Sequence, residues 1–222
     1  AHHYAKRFVE TSKGSADAQY LWARILYSEA TVNTAQVDVA LMKEAAAEAD
    51  KVLKLTIKPR EDQYLLVLAC YQQVGDLQRS ADLLELMVKK FPGNKNAWPM
   101  LFQTYLALQS QPGKEKDFEL SPLVTLERAQ AVGMMNSNKD NFALAGLYYN
   151  IQQYQFAADI LDKGLHNGKI DHDQKNYELL AACYQQMGRE NRAAEVYLEA
   201  IKNFPKAASL EQQIGQIYYN MD

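Results

Sequence analysis

The sequence predicts an all-α fold, a solenoid of antiparallel helix pairs, on three observations. The heptapeptide Ala69-Cys70-Tyr71-Gln72-Gln73-Val74-Gly75 returns as Ala182-Cys183-Tyr184-Gln185-Gln186-Met187-Gly188, 113 residues further on. An echo at that distance marks an internal repeat. A large residue stands seven places before a tyrosine at Tyr64–Tyr71, Trp98–Tyr105, Phe142–Tyr149 and Tyr177–Tyr184, and Glu211–Tyr218 holds the next place. Between them lie Val67, Leu101, Ala145, Leu180 and Ile214, so the pattern at i, i+3 and i+7 draws one face of a helix. Finally, Gly 10 and Pro 6 in 222 residues are too few for a turn-dense all-β chain.

The elements follow in order. Residues 1–60 read as a divergent helical repeat with a lengthened second helix. Residues 1–14 are a partial helix or an arm. A helix follows over 16–29, with either Trp22, Ala23 and Leu26 or Tyr20, Ala23 and Tyr27 facing inward. Thr34 can cap a long helix to Leu55 whose inner face is Ala45, Ala49, Val52 and Leu53.

From residue 61 the pattern is regular, with units at 61–94, 95–136, 139–171 and 174–207. Each first helix is followed by a second, with inner faces Ser80-Leu84-Met87-Val88, Leu126-Ala129, Ala157-Leu161-Gly164-Leu165 and Ala193-Tyr197-Ala200-Ile201. Phe91-Pro92 and Phe204-Pro205 end two of them, because proline lacks the N–H and drives the residue before it out of helical geometry. The unit at 95 carries an insertion, residues 109–120. It is a solvated loop, or a docking loop through Phe118 and Leu120, with Ser121 and Pro122 restarting the helix. The unit at 139 lacks the turn glycine and is one residue short there. Residues 208–222 form the first helix of a truncated or capping repeat. Its apolar Ile214, Ile217 and Tyr218 suit an excised segment of a longer array or a homo-oligomer contact.

These residues carry a resemblance. The series Tyr177, Leu180, Ala181, Tyr184, Gly188, Ala193, Tyr197, Ala200 and Pro205 resembles the tetratricopeptide repeat (TPR) family, and 61–94 matches nearly as well. The resemblance covers about 61–222 and implies a right-handed superhelical solenoid (a TPR-like α-α superhelix). A lone hairpin cannot cover its apolar face, so hairpins stack. Small residues at Ala181, Gly146 and Gly215 are expected where helices approach most closely. A looser similarity of the run from Gly164 to Asp171 to repeats of bacterial envelope proteins favours a bacterial, periplasmic setting over a cytoplasmic one.

The chemistry is narrow. A net charge of −3 argues against a nucleic-acid surface. The longest apolar run, residues 64–71, is far short of the roughly 20 residues of a bilayer span, so membrane insertion is not expected. No phosphate loop, nucleophile elbow or cysteine quartet is visible, so no catalytic residues, metal site or cofactors are assigned and an enzyme is not expected. His166 and His172 flank a polar turn in which Asp171 or Asp173 caps the next helix. Cys70 and Cys183 sit at one repeat position three units apart, too far for a disulfide, and read as small apolar side chains.

The expected function is a non-enzymatic scaffold for a protein or peptide ligand. The resemblance implies a groove lined by first helices, and it places Gln72, Gln73, Gln103, Asn150, Gln185, Gln186 and Gln216 there. Side-chain amides both donate and accept, so they can satisfy a ligand backbone. The places where family members hold a carboxylate with cations carry Leu66, Met100, Leu144 and Leu179, which disfavours that ligand. The alternatives are a regulatory or targeting module of a longer enzyme or envelope complex, and self-association.

Overall fold

The computed structural model describes residues 2–12, 14–32 and 36–221. Among them are twelve α-helices: α1 His2–Thr11, α2 Ala16–Ala30, α3 Val39–Leu55, α4 Glu61–Gln73, α5 Leu77–Lys90, α6 Ala97–Gln109, α7 Ser121–Ala131, α8 Asn138–Asn150, α9 Tyr154–Asn167, α10 Gln174–Gln186, α11 Glu190–Asn203 and α12 Ala208–Met221. The chain is all-α, as its periodicity requires. It divides into two compact units, 1–119 and 120–222, with the boundary inside the insertion.

In the first unit, short connections fold consecutive helices back on one another, and the α2–α3 pair makes the most extensive contact. Trp22, Ala23 and Leu26 are buried, which decides the register of α2. Against them α3 presents Met42, Ala45, Ala49 and Val52. Thr34 lies outside the described residues. The helix itself is capped by Asp38, whose carboxylate accepts from the Leu41 N–H at 3.0 Å. In α4 and α5 the buried residues include Tyr64, Val67, Leu68, Cys70 and Tyr71 with Ser80, Ala81, Leu84, Met87 and Val88. One turn further along the stack, α6 supplies Trp98, Leu101 and Phe102. Phe91 ends α5 and packs edge-on to Tyr64 at 5.6 Å. The insertion is folded onto the unit, because the Phe118 ring sits 6.0 Å from Tyr105. Leu120 does not join it and stays exposed.

In the second unit, α7 begins at Ser121, with Leu120 as its N-cap and proline in its first turn, so the cap falls one residue before the expected Ser121. The core of this unit runs through Ala157, Leu161 and Leu165 of α9, Tyr177, Leu180 and Tyr184 of α10, Ala193, Tyr197 and Ala200 of α11, and Leu210, Ile214 and Ile217 of α12. Tyr177 and Phe204 repeat the Tyr64–Phe91 contact at 6.3 Å, again 113 residues on.

Two expectations at 139 are corrected. The turn after α8 is complete. Gln152 takes the left-handed conformation, φ 61°, that Gly75 and Gly188 take at φ 72° and 67°. The backbone bonds agree: Gln153 N–H donates to Tyr148 O as Asp76 does to Tyr71 O and Arg189 to Tyr184 O, each at 2.9 Å. Tyr148, not Tyr149, is therefore the partner of Tyr71 and Tyr184, and α8 is read one residue too late in the sequence pattern. A glutamine with positive φ hides the turn, because that conformation is normally glycine's.

The shift moves Gly146 off the packed face. A Cβ added there, or at Gly215, meets nothing within 4 Å, so neither marks a close helix approach. Gly164 does: a Cβ would lie 2.6 Å from Cγ1 of the buried Ile170. Ile170 folds back over α9, its N–H donating to Gly164 O at 3.0 Å. Gly164→Leu is therefore expected to cost about 1–3 kcal/mol by overpacking. Gly146→Ala should be neutral or stabilising by up to about 1 kcal/mol through helix propensity. Urea unfolding of the two variants checks both values, and equal stabilities would contradict this packing.

Candidate functional site

In each unit the first helix of a pair has one face committed to the core. Its opposite face is left over, and that face carries the residues singled out in the sequence. Gln72, Gln73 and Gln103 lie in the first unit, and all three are exposed. Gln72 and Gln103 both line a cleft of about 370 Å³ between α4 and α6, whose other lining includes Leu77, Pro99, Met100 and Ala107. Two amides thus stand over an apolar floor. Gln73 is not part of this lining.

Asn150, Gln185, Gln186 and Gln216 lie in the second unit. Asn150, Gln186 and Gln216 are exposed and Gln185 is half-buried. Gln216 donates to Asn220 Oδ1 at 2.8 Å within α12. The corrected register places Tyr149 at the position of Gln72 and Gln185, and Asn150 at that of Gln73 and Gln186. It also brings Phe142 to the position of Leu65, where Lys175 Nζ rests 5.4 Å above its ring. Ala143 replaces Leu144 at the place of Leu66, so these positions still carry no cation.

One acid on the first unit's face is paired. Arg60 holds Asp62 with two hydrogen bonds, 3.0 and 3.1 Å, and Tyr20 Oη donates to the same carboxylate at 2.9 Å. The Arg60 guanidinium keeps that carboxyl below the usual carboxylate range. The bond from Asn94 to Glu61 joins consecutive repeats at their first-helix ends. The Asn94 carbonyl oxygen meanwhile accepts from the Asn96 and Ala97 N–H groups at 2.8 and 3.0 Å. In the second unit Asn138 donates to Asp171 at 2.6 Å in the same way.

A further signal escaped the sequence reading. The core tyrosine of a first helix reaches back to an acid 20 or 21 residues earlier. Tyr71 Oη donates to Asp50 at 2.5 Å, Tyr105 Oη to Glu85 at 3.2 Å, and Tyr148 Oη to Glu127. These bonds tie each hairpin to the one before it. Burial first, and the neighbouring Glu127 second, push the Tyr148 hydroxyl up to about 12. Tyr184 has Lys163 at the corresponding distance and packs instead under Arg192, 5.5 Å from its ring, as Tyr71 does under Arg79 at 5.7 Å.

His166 and His172 have local partners. His166 Nδ1 bonds Asp162 O at 2.7 Å, and His172 Nδ1 bonds Tyr177 Oη at 2.6 Å. Asp173 is the N-cap residue of α10 but makes no side-chain cap bond. Among the described residues, no group of three or more His, Cys, Asp or Glu is placed to hold a metal ion. No helix among them is long and apolar enough to cross a membrane.

No family model and no curated protein matches the sequence. Solved structures do match. MamA aligns over 70% of this chain and 84% of its own, at TM-score 0.52 and 19% identity. YrrB, described as a TPR protein with an unusual peptide-binding site, aligns over 96% of this chain and 98% of its own, at TM-score 0.51 and 16% identity. The chain has the tetratricopeptide-repeat fold. At these identities the TPR likeness is one of fold, and the residue-by-residue agreement of the 61 and 174 units accounts for it physically.

Within this TPR fold the cysteines are structural. Both are buried and free. Burial first, with Asp50 second, pushes the Cys70 thiol up to about 12, and burial pushes Cys183 up to about 11. A folded thiol whose pKa is raised favours the folded state fully below the unfolded value of about 8.5. That contribution is lost as pH rises from there through the folded values. Neither cysteine should react with a disulfide reagent in the native protein at mildly alkaline pH, and both should react once the chain is unfolded. The fall in urea stability above about pH 8.5 should also be shallower in the Cys70→Ala, Cys183→Ala double variant. Rapid labelling of native protein would contradict this assignment.

Proposed function

We propose that the chain is a non-enzymatic interaction scaffold that captures an extended or helical polypeptide segment on the free face of its first helices. The observation that carries this reading is the α4–α6 cleft, where Gln72 and Gln103 flank an apolar floor around Met100. Apolar side chains of a ligand would lose water against that floor, and its backbone would pair with the two amides. The fold likeness to YrrB, a TPR protein described as having a peptide-binding site, supports the reading. In the second unit, Tyr149, Asn150, Gln185 and Gln186 are the matching candidates.

A random peptide library displayed on phage and selected on the whole chain tests it. Selected peptides should bind about tenfold more weakly to the Gln72→Ala, Gln103→Ala double variant, as expected for two lost hydrogen bonds of about 0.5–1.5 kcal/mol each. The melting temperature should not change, because both side chains are exposed. Undiminished binding by the double variant would exclude this cleft.

A second reading, self-association through α12, rests on its exposed Tyr218, Tyr219 and Met221. Light scattering that shows a monomer at high concentration would remove it.

A further inference from the structure

The first unit holds a larger cavity beside the α4–α6 cleft. It measures about 430 Å³, and Met100 lines both. Its walls are apolar: Leu65, Met87, Phe91 and Met100. Its polar lining is Glu61, Asn94 and Asn96, and Glu61 is the only charged residue among the lining groups. A cavity of this volume with these apolar walls can take an unbranched aliphatic chain, and a carboxylate in its lining selects what that chain ends in.

The bonding around Glu61 narrows the choice. Its carboxylate accepts from the Asn94 amide, a neutral donor, whereas the adjacent Asp62 is already held by Arg60. The first turns of α4 and α6 bring partial positive charge to this end of the helices. Asn94 closes the first α6 amides, which leaves the carboxylate as the full charge facing an incoming group.

The chain contains its own comparison. A cavity of about 470 Å³ occupies the corresponding place in the second unit, lined by Gln174, Phe204, Pro205, Lys206 and Ala207. Gln174 stands 113 residues after Glu61, and Phe204 stands 113 after Phe91. The same repeat position therefore carries an acid in one unit, and a neutral amide beside a lysine in the other. The chamber follows from the repeat, and of these two cavities only the first unit's has an acid in its lining.

We propose that this cavity is a subsite for a long cationic side chain: the aliphatic stem of a lysine or arginine from the bound segment lies over Leu65, Phe91 and Met100, with its cationic head against Glu61. This deepens the scaffold reading and rests on it. It assigns the ligand a basic residue next to the apolar residue that fills the cleft between Gln72 and Gln103.

Small probes test the subsite without any peptide. Hexylamine, hexanol and hexanoate are titrated into the nitrogen-15-labelled chain, and the amide signals of Gly93, Asn94 and Ala97 are followed. Hexylammonium should shift these signals with a Kd about two- to fivefold lower than hexanol, as expected for a partly exposed ion pair, and hexanoate should bind most weakly. In Glu61→Gln the advantage of hexylammonium should vanish while hexanol binding persists. Equal affinities in the unaltered chain, a preference for hexanoate, survival of the preference in Glu61→Gln, or no shift with any probe would each overturn the proposal. Peptides that need Gln72 and Gln103 but ignore Glu61→Gln would sink the subsite and spare the scaffold reading. Probes that bind as expected, alongside peptides that ignore Gln72 and Gln103, would do the reverse.

Discussion

A pair of amphipathic helices has more apolar surface than the pair itself can cover, and the core of this chain follows from the need to lend that surface to a neighbour. The constraint shows directly in one repeat position. Tyr71 and Tyr184, each covered by its own second helix, are 7% exposed, whereas Tyr218 at the same position of α12 is 49% exposed. Residue type and helix face are unchanged among the three. What differs is the cover. Burial here is a property of the stack more than of the residue, and so the seven-residue spacing of large residues and tyrosines is a stacking rule before it is a helix rule.

The same constraint decides where chemistry can vary. Core positions are fixed by their neighbours, and the tyrosine-to-acid bonds from Tyr71 to Asp50 and from Tyr148 to Glu127 lock successive hairpins together. Positions on the opposite face have no such duty. One of them is Leu65 in the first regular unit, Pro99 in the next, Phe142 after that and Glu178 in the unit at 174. An aliphatic, an imino acid, an aromatic and an acid at one place cannot all serve one packing role. Free variation on a rigid face is what a recognition surface requires, because the scaffold spends no ordering entropy when the ligand arrives.

The parts of the fold legible in the sequence were those with redundant signals. The units at 61 and 174 are each specified by a tyrosine pair, a turn glycine, a small residue opening the inner face of the second helix (Ser80, Ala193) and a Phe-Pro stop, and every one of these lies where the spacing puts it. The unit at 139 has fewer signals and two misleading ones. Phe142 and Tyr149 imitate the seven-residue pair one place out of register, and Gln152 takes a glycine conformation. A one-residue slip on a helix turns a side chain by about 100°, enough to carry Gly146 from a presumed helix contact to open space. The close contact that does exist, Gly164 against Ile170, depends on the chain folding back after α9, and no periodicity encodes a fold-back. The candidate site was legible as a face and not as a shape. The resemblance implied the face, but the sharing of one cleft by Gln72, Gln103 and Met100 follows from the packing of the first unit.

Repetition also separates two kinds of information that a single-core domain mixes. Shape recurs: cavities beside Phe91 and beside Phe204 arise because the same helix stop is followed by the same first turn. Charge does not recur, since Glu61 gives way to Gln174, and Gly93 gives way to Lys206. A feature that appears in both units is explained by the stack and needs no ligand. A feature that appears in one unit only, such as the acid in the lining beside Phe91, is not explained by recurrence of the stack alone. The chain thus supplies an internal control for its own functional reading. That control directs attention away from the shared cysteines and tyrosines, which repeat faithfully, and toward the few exposed side chains that do not.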